Sequence, residues 1–323
     1  MAIAPQVGGR VRRASWLLYA GGLLLSALPA QAAGYFVTVA GLGGEPDYEQ
    51  RFTAMAADLD KILKGSGGEP HVYTLSGDQA TREHVTQTLA QIAREAKPDD
   101  EFILTLIGHG TYDGTEYKFN LPGPDVTATE LATLCDHIAA KRQLIVNTTS
   151  ASGGSVMAFR RPGRGVITAT KNGTEKNATV FARYWVEALR DPTSDANKND
   201  TISALEAFQY ADRKTAGFYE SQKRLATEHA TFEDTGKNDP VRTPSTENGE
   251  GLFLSNFPVA RLGAAQKAAS DPAKRELLAK KEELEQKIDA LKYQKAAMAQ
   301  DDYKEQLTAA LLELAHIQEE LDK

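Results

Sequence analysis

Short apolar runs alternate with stretches of helical spacing along most of this chain, and that alternation leaves few folds open. Tyr35 to Ala40 is an apolar run closed by the turn Gly41-Leu42-Gly43-Gly44, after which Tyr48, Phe52, Met55, Leu59 and Ile62 recur at helical spacing. The pattern repeats as His71 to Leu75 before a helix carrying Val85, Leu89, Ile92 and Ala96, as Phe102 to Ile107 before another helix, and as Leu144 to Thr148. Four such units specify a mostly parallel sheet with helices on both faces. Gly165 to Thr170 supplies a fifth strand, Ala178 to Leu189 and Ala204 to about Phe232 supply helices, and Leu252 to Phe257 reads as a last strand.

Two of these runs end in residues that carry chemistry. One closes on Ile107-Gly108-His109-Gly110, the other on Asn147-Thr148-Thr149-Ser150-Ala151-Ser152-Gly153-Gly154. Neighbouring parallel strands lie about 4.8 Å apart, and ligands of open α/β sheets bind in the crevice at the strands' carboxyl ends. His109 and Ser150 are therefore the candidate pair, His109 as base and Ser150 as nucleophile. A serine hydroxyl needs a base that is itself oriented by a third group, whereas a cysteine thiol is activated by an adjacent histidine alone. Asp113 and Glu116 lie near His109 in sequence, but no motif assigns either as that third group. The backbone amides of the Ser-rich loop can form an anion-binding nest, and the same composition is ordinary loop chemistry.

On these residues the chain resembles the legumain branch of the caspase-like cysteine peptidases. In that family His-Gly follows the third strand, and Glu-Ala-Cys followed by Ser-Gly follows the fourth. Gly108-His109-Gly110 matches the first element, and Thr149-Ser150-Ala151-Ser152-Gly153 matches the second with Ser150 where the cysteine belongs. Val166-Ile167-Thr168-Ala169-Thr170 is similar to the family's next strand, so the resemblance spans about residues 34 to 260. It implies a caspase-like three-layer sandwich around a mostly parallel six-stranded sheet. It also implies a peptidase homologue that lacks cysteine chemistry and acts by binding a peptide or protein segment, the alternative being an active hydrolase using Ser150 with His109.

Other features bound the setting. Arg10, Arg12 and Arg13 precede an apolar stretch from Ala14 to Ala30, and Ala30-Gln31-Ala32 offers the small residues that a signal peptidase needs. Residues 1–32 therefore read as a signal peptide, and the mature protein as exported, periplasmic or extracellular. A membrane span needs roughly 20 apolar residues, and Gly21, Gly22 and Pro29 interrupt this stretch, so no span is expected after cleavage. Losing the three arginines takes the formal charge from -7 to -10, which argues against nucleic acid as a partner. The single cysteine, Cys135, follows a Thr127/Glu130 capping box with Leu131, Leu134 and Ile138 on one helix face, the place of a core residue and not of a nucleophile.

Asp195-Ala196-Asn197-Lys198-Asn199-Asp200-Thr201-Ile202-Ser203-Ala204-Leu205-Glu206 has the spacing of an EF-hand loop. Asp195, Asn197, Asn199, Thr201, Ser203 and Glu206 are the candidate ligands of a structural calcium ion. Asp200 stands where such loops carry glycine, and Ser203 with Glu206 equally forms a capping box. Arg160, Arg161 and Arg164 read as a solvated turn around Pro162 and Gly163. A domain of residues 33–262 is followed from 263 to 323 by Ala, Lys, Glu, Gln and Leu, with Leu277, Leu284, Ile288, Leu291 and Met298 at heptad spacing and Leu307, Leu311, Leu314, Ile317 and Leu321 as a second stripe. This tail reads as a helical hairpin or coiled coil, suited to packing on its own domain or, through 274–323, to self-association or a partner helix.

Overall fold

The computed structural model describes Met1 and residues 32–323, the latter as one compact unit. The expected signal segment, apart from Met1 and Ala32, lies outside the described residues. Among those residues no helix is long and apolar enough to cross a membrane.

The first half of the chain follows the alternation read from sequence. Strand β1 (Gly34–Ala40) leads into helix α1 (Pro46–Gly65), β2 (His71–Leu75) into α2 (Arg82–Glu95), and β3 (Glu101–Ile107) into a small antiparallel sheet of β4 (Gly110–Tyr112), β5 (Tyr117–Phe119) and β6 (Val126–Thr127). Helix α3 (Ala128–Asp136) then opens on the Thr127/Glu130 capping box, in which each residue's side chain accepts the other's backbone N–H. Strand β7 (Arg142–Asn147), the short helix α4 (Val156–Phe159) and β8 (Arg164–Thr168) complete the parallel set.

The second half contains helix α5 (Phe181–Ala188), β9 (Thr201–Ser203), α6 (Ala204–Ser221), β10 (Thr231–Glu233), α7 (Leu252–Ser255) and β11 (Pro258–Arg261). The tail is α8 (Gly263–Ser270), α9 (Arg275–Gln294) and α10 (Gln300–Leu321), of which α9 and α10 form a helical hairpin. The main sheet has the order β10-β8-β7-β3-β1-β2, parallel except for β10, which runs antiparallel to β8. Side chains alternate across it: Ile103, Leu144 and Val146 face a core shared with α1, α5 and α6, while Phe102, Leu104, Leu106 and Ile145 face a core shared with α2, α3 and α4. The architecture is thus the three-layer α/β sandwich around a mostly parallel six-stranded sheet, with a C-terminal helical hairpin.

Two expectations are corrected. Leu252 to Ser255 is a helical turn and not the last strand; its amides at Gly251 and Leu254 donate to the buried Asp234 carboxylate, which starts a helix from 17 to 20 residues away. The sixth strand is instead Thr231–Glu233, because α6 ends at Ser221 and Lys223 takes a left-handed conformation, φ 51°. A third departure concerns Arg164, expected in a solvated turn. Its side chain is 1% exposed and bonds Gln143 Oε1, the Phe159 carbonyl and Asp136.

Candidate functional site

Sheet order places the site. The chain winds from β1 outward to β2 and then back across to β3, so the crevice expected at a change of winding direction lies between the carboxyl ends of β1 and β3. The Gly41–Gly44 turn leaves one end and His109 the other, tied by a bond from the Gly41 N–H to the Ile107 carbonyl. Gly108, at φ 148°, holds a backbone conformation that residues with side chains rarely adopt, and a Cβ there would press on the Phe119 ring at 3.3 Å and the Gly41 backbone at 3.4 Å.

His109 packs between Tyr48 and Phe52, with ring centroids at 4.8 and 5.1 Å and edge-to-face angles of 73°. Burial holds its pKa below the ordinary 6.5, against a backbone hydrogen bond with Gly43 and the Glu45 charge, which pull the other way. Tyr48 and Phe52 come from one face of α1, so the helical stripe visible in sequence turns out to be one wall of the histidine's pocket.

Ser150 sits on the next strand's end, 3% exposed. Its hydroxyl donates to the Gly110 carbonyl at 3.0 Å and accepts the Gly110 N–H at 3.1 Å. Among the described residues no hydrogen bond joins His109 to Ser150; the two are brought to neighbouring strand ends, and each is engaged elsewhere. Asp113 and Glu116 do not supply a third group either. Asp113 accepts the N–H groups of Thr115 and Glu116, and Glu116 accepts from Thr129.

The nest expected in the Ser-rich loop is filled by the protein itself. The Ala151 N–H donates to the Glu175 carbonyl, the Gly153 N–H to Thr170 Oγ1 and the Gly154 N–H to the Ala151 carbonyl. Ser152 Oγ accepts the Thr170 N–H, and Ser155 Oγ donates to the Ser152 carbonyl. Asn147 is fully buried, accepting from Thr149 and from Tyr117 and donating to Ser155. Tyr117, absent from the sequence reading, shares a 2.5 Å hydrogen bond with Thr149 Oγ1, and burial drives its phenol pKa upward. Nothing in the sequence marks Tyr117, because β5 reaches the Ser150 loop only through the antiparallel β4–β6 sheet.

A second imidazole borders this loop and was also missed. His229 Nδ1 lies 2.5 Å from Glu175 Oε1, and Glu175 Oε2 accepts the His229 and Lys171 N–H groups. The adjacent Glu228 accepts the N–H groups of Val180 and Phe181 at the start of α5 and the Tyr219 hydroxyl, with burial raising its pKa. These two residues pin the segment before β10 to the carboxyl edge. Cys135 is buried where the helical pattern put it, its thiol pushed up to about 12 by burial.

The 195–206 loop closes on its own amides. Asp195 accepts the N–H groups of Lys198, Asn199 and Asp200, Asn197 that of Asn199, and Asn199 that of Thr201. Glu206 accepts from Ala196 and Asn197 with one oxygen and from Ser203 with the other, which is the capping box of α6. Thr201 and Ser203 lie in β9, paired with β11. Asp200 makes the left-handed turn at φ 65° that such loops usually give to glycine. Among the described residues there is no group of three or more His, Cys, Asp or Glu side chains placed to hold a metal ion.

No protein-family model and no curated protein matches the chain. Solved structures similar to it include a protein from Geobacter sulfurreducens, 14% identical with TM-score 0.44 over 72% of this chain and 100% of that one. The Drosophila initiator caspase Dronc is 10% identical with TM-score 0.41, over 64% of this chain and 81% of its own. Caspase-1 from Spodoptera frugiperda is 14% identical with TM-score 0.43, over 63% and 87%. No residue role passes from any of these to this chain.

Proposed function

We propose that this chain is an exported, legumain-like peptidase homologue that holds a peptide or protein segment at the carboxyl edge of its sheet without cutting it. One observation carries the reading: the Ser150 hydroxyl is buried and spent in both directions on the Gly110 backbone, while half-buried His109 packs its ring against Tyr48 and Phe52. A nucleophilic serine needs an oriented base within hydrogen-bond reach and free amides to receive the oxyanion. Here the amides of Gly110, Ala151, Gly153 and Gly154 already have protein acceptors. Delivery is assigned to residues 1–32, and N-terminal sequencing of the secreted product is expected to begin at Ala33.

The test is covalent labelling together with hydrolysis. A fluorophosphonate is expected to leave Ser150 unlabelled, and peptides ending in Asn, Asp, Arg or Lys are expected to bind without cleavage. Labelling of Ser150 that disappears in His109→Ala, with matching loss of hydrolysis, overturns the binding-only reading. Cleavage by Ser150→Cys alone would show a crevice still shaped for the reaction and a natural protein that has given it up.

A further inference from the structure

A groove of about 590 Å³ runs between α5 and α6, away from His109 and Ser150. Arg183, Tyr184, Glu187, Tyr210, Arg213 and Lys214 line it. In a chain of net charge -7, three cations against one carboxylate make this wall locally positive. Glu187 offsets one of them, pairing with Lys214 at 3.1 Å while it accepts the Tyr210 hydroxyl at 2.7 Å, and the two guanidinium groups are left in excess. Tyr210 also bonds Asp191 at 2.6 Å, outside the groove, and Thr193 further ties that carboxylate. Arg183 and Arg213 have no acidic partner within salt-bridge distance among the described residues. The Arg183 guanidinium lies 5.4 Å from the centroid of the Tyr184 ring, which orients its donors.

The groove is also open and well placed. A Cβ on Gly217 would meet nothing within 4 Å, so the groove is open at that point of α6. Helix α5 starts at the carboxyl edge, where Glu228 caps Val180 and Phe181 and the Thr179 hydroxyl donates to the Thr148 carbonyl. The end of α6 returns there through the Tyr219 bond to Glu228. The Arg183 end of the groove therefore faces the carboxyl-edge side of the sheet, where α5 begins. We propose that this groove docks an acidic segment of a partner protein, a run of Asp and Glu side chains whose carboxylates pair with the guanidinium forks of Arg183 and Arg213.

The probe is a fluorescein-labelled octaglutamate peptide, followed by anisotropy at low and high ionic strength with the purified protein. Saturable binding that weakens with salt is expected, with octaglutamine failing to bind. The double reversal Arg183→Glu with Arg213→Glu is expected to weaken binding about tenfold while leaving the melting temperature unchanged. Lys287→Glu, an exposed reversal on α9, is expected to have no effect. Several results overturn the proposal: no saturation by octaglutamate, equal binding of octaglutamine, wild-type affinity in the double variant, an equal loss in Lys287→Glu, or tighter binding of polyuridylate than of octaglutamate. The crevice reading stands apart from this outcome, since neither arginine contributes to it.

Discussion

The two edges of the main sheet solve the same problem in opposite ways. At the amino edge, charge is paired and partly or wholly buried: Glu101 bonds Arg142, fully buried Arg164 is held by Gln143 and Asp136, and Arg261 makes a two-point pair with Glu282 of α9. At the carboxyl edge, the groups packed around Ser150 are neutral hydroxyls, amides and one phenol, from Asn147, Thr149, Ser152, Thr170 and Tyr117, while the carboxylates of that edge, Glu175 and Glu228, are tied to His229 and to the amides that open α5. Buried charges demand fixed partners, so the amino edge is a lock, and through Arg261 it fastens the tail hairpin to the sheet. The carboxyl edge is held instead by neutral hydrogen bonds drawn from several segments of the chain.

The sharpest way to break this contrast is Arg164→Ala. The arginine is wholly buried, and removing it strands Gln143 Oε1 and the Phe159 carbonyl and opens a cavity beside them, while half-exposed Asp136 keeps Arg161. A loss of about 2–4 kcal/mol is expected by denaturant unfolding, from the stranded acceptors and the cavity. A loss below 1 kcal/mol would mean that the amino edge is not the lock.

How much of this was legible in sequence differs between the edges. Strands β1, β3, β7 and β8 were readable to within two residues because two-sided burial writes them as largely apolar runs, and the half-buried edge strand β2 was readable from Val72, Tyr73 and Leu75. Strand β10 was not, since Thr231–Glu233 is three residues long and α6 stops without a glycine. The run Leu252–Ser255 is as compatible with a strand as with a helix, and the choice is made by Asp234, too far away for any local pattern to register. His109 and Ser150 were found because strand ends are visible. The groups that brace the Ser150 loop were not, because Tyr117, Glu175 and His229 arrive from other parts of the chain.

Intermediate effects fall on the two polar loops. Glu206→Ala removes the acceptor of the Ala196, Asn197 and Ser203 N–H groups and the capping box of α6. A loss of about 2–3 kcal/mol is expected, read as a lowered melting temperature. Ser150→Ala strands the Gly110 N–H and carbonyl, and about 1–2 kcal/mol is expected from that change. An unchanged stability for Ser150→Ala would show the hydroxyl to be free of Gly110, and so available for chemistry after all.

The smallest effect is the most specific to the carboxyl edge. Burial is the largest cause depressing the His109 pKa, so its imidazole is expected to titrate in the folded protein with a midpoint below 6.5, followed through its Cε1 proton by NMR. With the folded value below the unfolded one, the unfolded chain takes up the proton first as pH falls. The stability that His109 contributes is therefore complete above about 6.5 and is lost as pH drops through that value toward the folded midpoint. Phe52→Ala opens one wall of the pocket to water and is expected to move the midpoint back up toward 6.5, because it relieves the desolvation and leaves the Gly43 bond and the Glu45 charge in place. A wild-type midpoint at or above 6.5 would mean that His109 is charged near neutrality, and the carboxyl edge would then carry a cation that the comparison with the amino edge denies it.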